Sequence, residues 1–170
     1  MPDVQVQTYW HTQWSSLVDD INSQPEGTHI LVIGYSLGAN NSVLVANNAN
    51  YIDSVIALQP SIFTHKTSLT GRVGRMVEIY DPNPLLTFGG MGSYKIEGPN
   101  IEYIANNDTH IGAPYNSDFR DLVRSEIARL AALPDPNATP ATTPLVTMPP
   151  PPGGARSTDA LSFRKRSPPN

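Results

Sequence analysis

The chain has 170 residues, a formal net charge of −4 and no cysteine. This length suits one domain with a sizeable core, and the mixed, slightly acidic charge argues against nucleic acid as a partner of the folded part. The absence of cysteine excludes disulfides and zinc-thiolate sites. Because the chain also shows neither a signal-like start nor an apolar run of membrane-spanning length, we expect a cytoplasmic protein without a membrane span.

Strand-like and helix-like patterns alternate along the first part of the chain. Residues 4–10 (VQVQTYW) alternate apolar and polar side chains with the period of a strand. Apolar residues at helical spacing follow: Trp14, Leu17, Val18 and Ile21. Residues 29–34 (HILVIG) are almost continuously apolar, which is typical of a parallel strand covered on both faces, and residues 37–48 then favour a helix.

Three further strands and a last helix are predicted before residue 134. The strand-like runs are SVIALQP, MVEIYDP and IEYIAN. In residues 117–133, apolar side chains form a helical stripe, Ser117 or Asp118 can cap its start, and Pro134 stops it. Alternating strands and helices predict an α/β fold with a mostly parallel sheet, whose functional groups gather at the carboxyl ends of the strands.

The composition changes at residue 134, and ten of the 17 prolines lie in residues 134–170. A segment with so few large apolar residues cannot offset its ordering entropy. We therefore predict an α/β domain in residues 1–133 and a disordered, proline-rich tail in residues 134–170. The tail motifs PPPPGG and RKR could contact an aromatic groove or an anionic partner, but a solvated extension is the simpler interpretation.

The motif Gly34-Tyr35-Ser36-Leu37-Gly38 lies between a predicted buried strand and a predicted helix. A G-x-S-x-G sequence in this context is typical of a strained strand-to-helix turn that exposes a nucleophilic serine. Gly34 and Gly38 would avoid collisions with the neighbouring backbone, and the Leu37 N–H would stabilise a developing oxyanion. The alternative is a tight turn that contains a serine without chemical function.

A serine nucleophile needs an imidazole base, and the base needs a group that orients it. His110 is the best base, because NNDTHIGAPYNS is a polar loop after the last predicted strand, and His65 is a weaker rival. Asp81 is the best orienting acid, because it follows the apolar run MVEIY, while Asp108 remains an alternative. His29 and Asp53 are assigned to the opposite edge of the sheet and Glu78 to a structural role within a strand. His11 lies beside the first predicted helix.

The ordered motifs GYSLGA, YDP and NDTHIGAP resemble those of the α/β-hydrolase superfamily, especially its small thioesterase, lipase and esterase-like members. The resemblance covers about residues 4–133. It implies that Ser36 is acylated, that His110 acts as general base and then as general acid, that Asp81 orients His110, and that Leu37 supplies an oxyanion N–H. It also implies a small ester or thioester substrate and no metal or cofactor.

The pattern departs from that family before Ser36, where the strand and loop that supply the second oxyanion donor are not found. We expect an N-terminally truncated α/β-hydrolase-like three-layer sandwich, or a sheet in which residues 4–10 pair directly with residues 29–34. Loss of one oxyanion donor would slow the reaction by about a hundred- to a thousandfold. A large lid has no room between the second and third strand-like runs.

Two questions about the function stay open in the sequence. Residues 83–94 (NPLLTFGGMGSY) carry apolar side chains that could wall an acyl pocket or pack as a loop: Leu85, Leu86, Phe88 and Met91. The incomplete oxyanion site favours an alternative function, a catalytically silent hydrolase-like module that binds proteins. The sequence does not indicate an oligomeric state.

Overall fold

A computed structural model of the chain describes residues 4–63, 67–82 and 95–134. Within these ranges, helices and strands alternate as the sequence predicts from the first helix onwards. The elements are α1 (Trp14–Asn22), β1 (Leu31–Tyr35), α2 (Leu37–Asn48), β2 (Ile52–Leu58), β3 (Val73–Tyr80), β4 (Ile101–Ala105) and α3 (Ser117–Ala131), with short 3-10 helices at His11–Gln13 and Ala113–Tyr115. No helix in these ranges has both the length and the apolar character needed to cross a membrane.

The four strands form one sheet in the order β1-β2-β3-β4, and every neighbouring pair is parallel. The α/β class with a parallel sheet is therefore confirmed. Tyr35 pairs with Leu58 and Tyr80 pairs with Ala105, so all four strands end at the same edge of the sheet. Residues that follow the strands consequently meet there, as expected for parallel sheets.

Helices cover both faces of the sheet. Along β2, Val55 and Ala57 pack with residues of α1 and α2, whereas Ile56 and Leu58 pack with residues of α3. Because successive side chains of a strand point to opposite faces, burial of both faces requires the continuous apolar runs seen in the sequence.

A buried carboxylate connects α3 to the sheet. The Glu126 side chain is 1% exposed and lies 2.5 Å from Arg75 Nη1 on β3 and 2.6 Å from Arg129 Nη2 on its own helix. Burial alone would raise the pKa of Glu126, but hydrogen bonds from Arg129 and the charge of Arg75 lower that pKa to about 2. The ionised pair network therefore fixes α3 over β3 at neutral pH.

The strand predicted for residues 4–10 is wrong. This segment belongs to no ladder, and the pairing of residues 4–10 with residues 29–34 is also wrong, because the outer edge of β1 has no strand partner in the described ranges. Alternation can stabilise a strand only when one face is buried. Here Val6 is 84% exposed and Trp10 is 77% exposed.

The cap of α3 also differs from the prediction of Ser117 or Asp118. Asn116 is the N-cap, and its side chain accepts a hydrogen bond of 2.6 Å from the Asp118 N–H. Asn116 has the extended backbone (φ −61, ψ 139) that a capping residue needs, whereas Ser117 is already helical. The helix ends at Ala131, before Pro134, and the remainder of the predicted tail lies outside the described residues.

Candidate active site

Ser36 occupies a sharp turn between β1 and α2. Its backbone has φ 57 and ψ −121, and its N–H donates to the Leu58 carbonyl across a distance of 3.0 Å. A residue other than glycine with positive φ stores about 1–3 kcal/mol of strain, and such strain is concentrated at functional sites. The turn sets Ser36 directly before the first residue of α2, at the carboxyl edge of the sheet.

The two glycines of the motif have different roles. A Cβ at Gly34 would lie only 2.4 Å from the Gly38 carbonyl oxygen, so the close approach of β1 to α2 requires glycine there. A Cβ at Gly38 would meet no atom within 4 Å. The steric reason predicted for Gly38 is therefore wrong, because that residue points into open space on the first turn of α2.

The structure brings Ser36 and His110 together. His110 Nε2 lies 2.9 Å from Ser36 Oγ, and the His110 side chain is almost fully buried. Tyr35 supports this arrangement, because its hydroxyl donates to the His110 carbonyl at 2.5 Å and its ring lies 4.9 Å from the imidazole. Burial lowers the pKa of His110, so the imidazole is neutral and able to accept a proton at neutral pH.

Gln59 contacts the other nitrogen of the imidazole. Its side-chain Oε1 lies 2.9 Å from His110 Nδ1, and its Nε2 donates to the Asp108 carbonyl at 3.2 Å. Gln59 is fully buried, follows β2 directly and has φ 45, and its N–H donates to the Ile79 carbonyl at 2.7 Å. A search of the sequence for carboxylates missed this residue. The available signal was a polar side chain at the carboxyl end of an apolar strand.

The role of Asp81 as the group that orients His110 stays a prediction. Asp81 is buried at the carboxyl end of β3, at the predicted edge of the sheet, but the acceptor at His110 Nδ1 is Gln59. The strand order is consistent with the contact that Gln59 makes: β2 is adjacent to β1, whereas β3 lies one strand further away, at about 4.8 Å per strand. The residue that follows β2 therefore lies closer to Ser36.

The rival candidates have other partners. The Asp108 carboxylate accepts a hydrogen bond from the Asn116 side chain, so only the Asp108 main chain contributes to the site. His29 lies 3.1 Å from Asp53 Oδ1 at the amino end of the sheet, on the edge opposite Ser36. His65 and the proposed pocket residues 83–94 lie outside the described residues.

The amino end of α2 directly follows Ser36. Leu37 is the first residue of α2, and N–H groups in a first helical turn have no acceptor within their own helix. The Ala39 N–H already bonds the Ser36 carbonyl at 3.0 Å. The partial positive charge of the helix start and the Leu37 N–H are thus the groups that can favour negative charge beside Ser36.

A groove of about 1070 Å³ extends from Ser36 along the outer edge of β1. Its walls are mainly apolar and come from both faces of the sheet: Trp14, Leu17, Val45, Ile127 and Leu130. Residues 4–10 also line it. The groove therefore suits an apolar ligand beside Ser36.

Comparisons with protein-family models, curated proteins and solved structures found no match to this chain. The site is therefore interpreted from its own geometry. Among the described residues there is no cluster of three or more histidine and acidic side chains that could hold a metal ion. The chemistry available at this edge of the sheet is that of a serine hydroxyl, an imidazole, an amide and main-chain donors.

Proposed function

We propose that this protein is a serine hydrolase that cleaves an ester or thioester through an acyl-enzyme intermediate. The observation that supports this function best is the 2.9 Å hydrogen bond between Ser36 Oγ and His110 Nε2 at a strained turn before a helix. A hydroxyl bonded to a neutral imidazole can lose its proton as it attacks, which is the requirement for nucleophilic catalysis by serine.

In the proposed reaction, Ser36 Oγ attacks the acyl carbon while His110 Nε2 accepts the hydroxyl proton. The Leu37 N–H binds the oxyanion of the tetrahedral intermediate. His110 then gives its proton to the leaving alcohol or thiol, and the acyl group remains on Ser36. In the second half, His110 deprotonates a water molecule that attacks the acyl carbon, and then returns this proton to Ser36 Oγ as the acid leaves.

The substrate class follows from the groove and from the single assigned oxyanion donor. The mainly apolar walls of the groove beside Ser36 suit an apolar acyl group, and the position of Leu37 at the start of α2 supports one oxyanion donor. Esters and thioesters need less stabilisation of the transition state than amides do, so they suit a site with one assigned donor. The account requires no cofactor.

We further propose that the sheet belongs to a three-layer sandwich of the α/β-hydrolase type. The parallel strand order and the helices that cover both faces of the sheet support this view. A cytoplasmic location stays a prediction from the sequence.

Hydrolysis of p-nitrophenyl butyrate tests the function, with Ser36→Ala compared with Ser16→Ala. Ser16 is an exposed residue of α1, so its hydroxyl serves as a matched control. We expect kcat/KM to fall by at least about 1000-fold in Ser36→Ala and to stay unchanged in Ser16→Ala. Equal rates in folded wild type and Ser36→Ala would reject the proposal.

A catalytically silent module that binds proteins is the second candidate. The observation that favours it is the position of an uncharged amide, Gln59, where serine hydrolases commonly use a carboxylate. The two functions differ in the same assay, because a silent module hydrolyses the ester no faster than the Ser36→Ala variant.

A further inference from the structure

We propose that Gln59 is the positioning residue of this site: its amide oxygen fixes His110 in the tautomer that can deprotonate Ser36. Gln59 thus performs, without charge, the task that the sequence analysis gave to Asp81. The catalytic meaning of this inference rests on the proposed hydrolase function. The tautomer that it predicts can be observed without any assay of activity.

The orientation of the Gln59 amide follows from its second contact. Its Nε2 lies 3.2 Å from the Asp108 carbonyl oxygen, which can only accept a hydrogen bond. If the amide were rotated by 180°, two oxygen atoms would face each other at this distance inside a fully buried site. An unpaired buried acceptor is costly, so Oε1 is the atom that faces His110.

This orientation decides which imidazole nitrogen carries the proton. Because Gln59 Oε1 can only accept, His110 Nδ1 must donate to it across 2.9 Å. In the neutral ring the other nitrogen, Nε2, then has a free lone pair and accepts the Ser36 hydroxyl proton across 2.9 Å. An asparagine or glutamine that presented its NH₂ group instead would stabilise the opposite tautomer, which is inactive.

The groups near His110 are consistent with an uncharged partner at its Nδ1. Among the titratable groups on neighbouring elements, Tyr35 on β1 contacts His110, Asp81 follows β3 at the same edge of the sheet, and Asp108 and Tyr115 lie within five residues of His110 along the chain. The Asp108 carboxylate is engaged by Asn116. A carboxylate at position 59 would place its second oxygen against the Asp108 carbonyl, which a glutamine NH₂ group avoids by donating to it.

The inference predicts a difference between two substitutions of similar size. Gln59→Met removes both polar contacts and should lower kcat/KM for p-nitrophenyl butyrate by about 10- to 100-fold. Gln59→Glu keeps an acceptor at His110 Nδ1, and should retain the tautomer. An ionised glutamate also favours the imidazolium, so the acidic limb of the pH profile should move to higher pH. A residue with only a packing role would not move this limb.

The deciding experiment is NMR of the full-length protein labelled with ¹⁵N, at pH 8. Two-bond ¹H–¹⁵N spectra distinguish the tautomers of the four histidines, and a His110→Gln variant assigns the His110 signals. We expect the Nδ1–H tautomer in wild type, in Asp81→Asn and in Gln59→Glu, and its loss in Gln59→Met.

An Nε2–H tautomer of His110 in folded wild type would overturn the inference without any variant. Retention of the Nδ1–H tautomer in folded Gln59→Met would overturn it as well, as would its loss in folded Asp81→Asn. The outcome is separable from the proposed function: the expected tautomer with no Ser36-dependent hydrolysis rejects the hydrolase and keeps the role of Gln59. Ser36-dependent hydrolysis with the Nε2–H tautomer keeps the hydrolase and rejects the role of Gln59.

Discussion

The close approach of β1 to α2 at Gly34 leads to a sharp prediction. A Cβ at this position would lie 2.4 Å from the Gly38 carbonyl oxygen, 2.7 Å from the Gly38 carbonyl carbon and 2.8 Å from Ala39 Cα. All three are main-chain atoms, so Gly34→Ala must push the start of α2 away from β1. Overpacking costs about 1–3 kcal/mol where side chains can yield, and main chain yields less. We expect Gly34→Ala to lower the free energy of unfolding by about 3 kcal/mol or more.

Gly38→Ala is the matched control, because it adds the same methyl group two residues beyond Ser36. A Cβ at Gly38 meets nothing within 4 Å, and alanine is favoured over glycine in a helix by up to about 1 kcal/mol. This variant should therefore be as stable as wild type or slightly more stable. The movement of α2 in Gly34→Ala also displaces Leu37, so only that variant should lose hydrolysis.

Urea unfolding followed by far-UV circular dichroism measures both free energies, and p-nitrophenyl butyrate hydrolysis at low urea reports on the site. The expected gap between the two alanine variants is about 3–4 kcal/mol. The two glycines differ, by this reasoning, because only Gly34 is in close contact with main-chain atoms. Unfolding of Gly34→Ala and Gly38→Ala at the same urea concentration would refute it.

Three further predictions concern titratable groups. Burial raises the pKa of Glu78 from 4.5 to about 7, so the folded state holds a proton that the unfolded state releases, and stability falls as pH rises through this window. In urea unfolding, the stability of Glu78→Gln relative to wild type should therefore increase by about 3 kcal/mol between pH 4 and pH 8. A difference between the two proteins that does not change with pH would contradict this. The pKa of Glu126 is lowered from 4.5 to about 2, so stability is lost as pH falls through that interval. Urea unfolding should show a loss of up to about 3 kcal/mol in wild type and no such pH dependence in Glu126→Gln. Burial lowers the pKa of His110, so kcat/KM should decline only below about pH 6.5, the ordinary pKa of histidine. A decline centred above pH 7 would show that the imidazole is not the base or that a carboxylate stabilises its charge.

The sequence predicted the three helices and the four strands that form the sheet, because their signals are local. Apolar runs such as VGRMVEIY and the helical stripe of Ser117–Ala131 report burial of their own residues. Residues 4–10 carry an equally regular pattern, but alternation does not say which strand would bury them. The cap at Asn116 was missed by one residue because the choice depends on where the backbone leaves the extended region.

The site was predicted in part. Ser36 and His110 meet because both follow strand ends, and parallel strands end at one edge. The third group could not be predicted from residue types alone, because strand order decides whether the residue after β2 or the residue after β3 lies beside the imidazole. A search restricted to carboxylates also excluded Gln59, whose amide is oriented by the hydrogen bond that its Nε2 donates to the main-chain carbonyl of Asp108, far along the sequence.

The most direct test of the central claim is intact-protein mass spectrometry after treatment with a fluorophosphonate probe, followed by peptide mapping. The account predicts one adduct per folded wild-type chain, located on Ser36, and no adduct on Ser36→Ala. A folded wild-type protein that forms no adduct, or an adduct that maps to another residue and persists in Ser36→Ala, would contradict the assignment of Ser36 as a nucleophile.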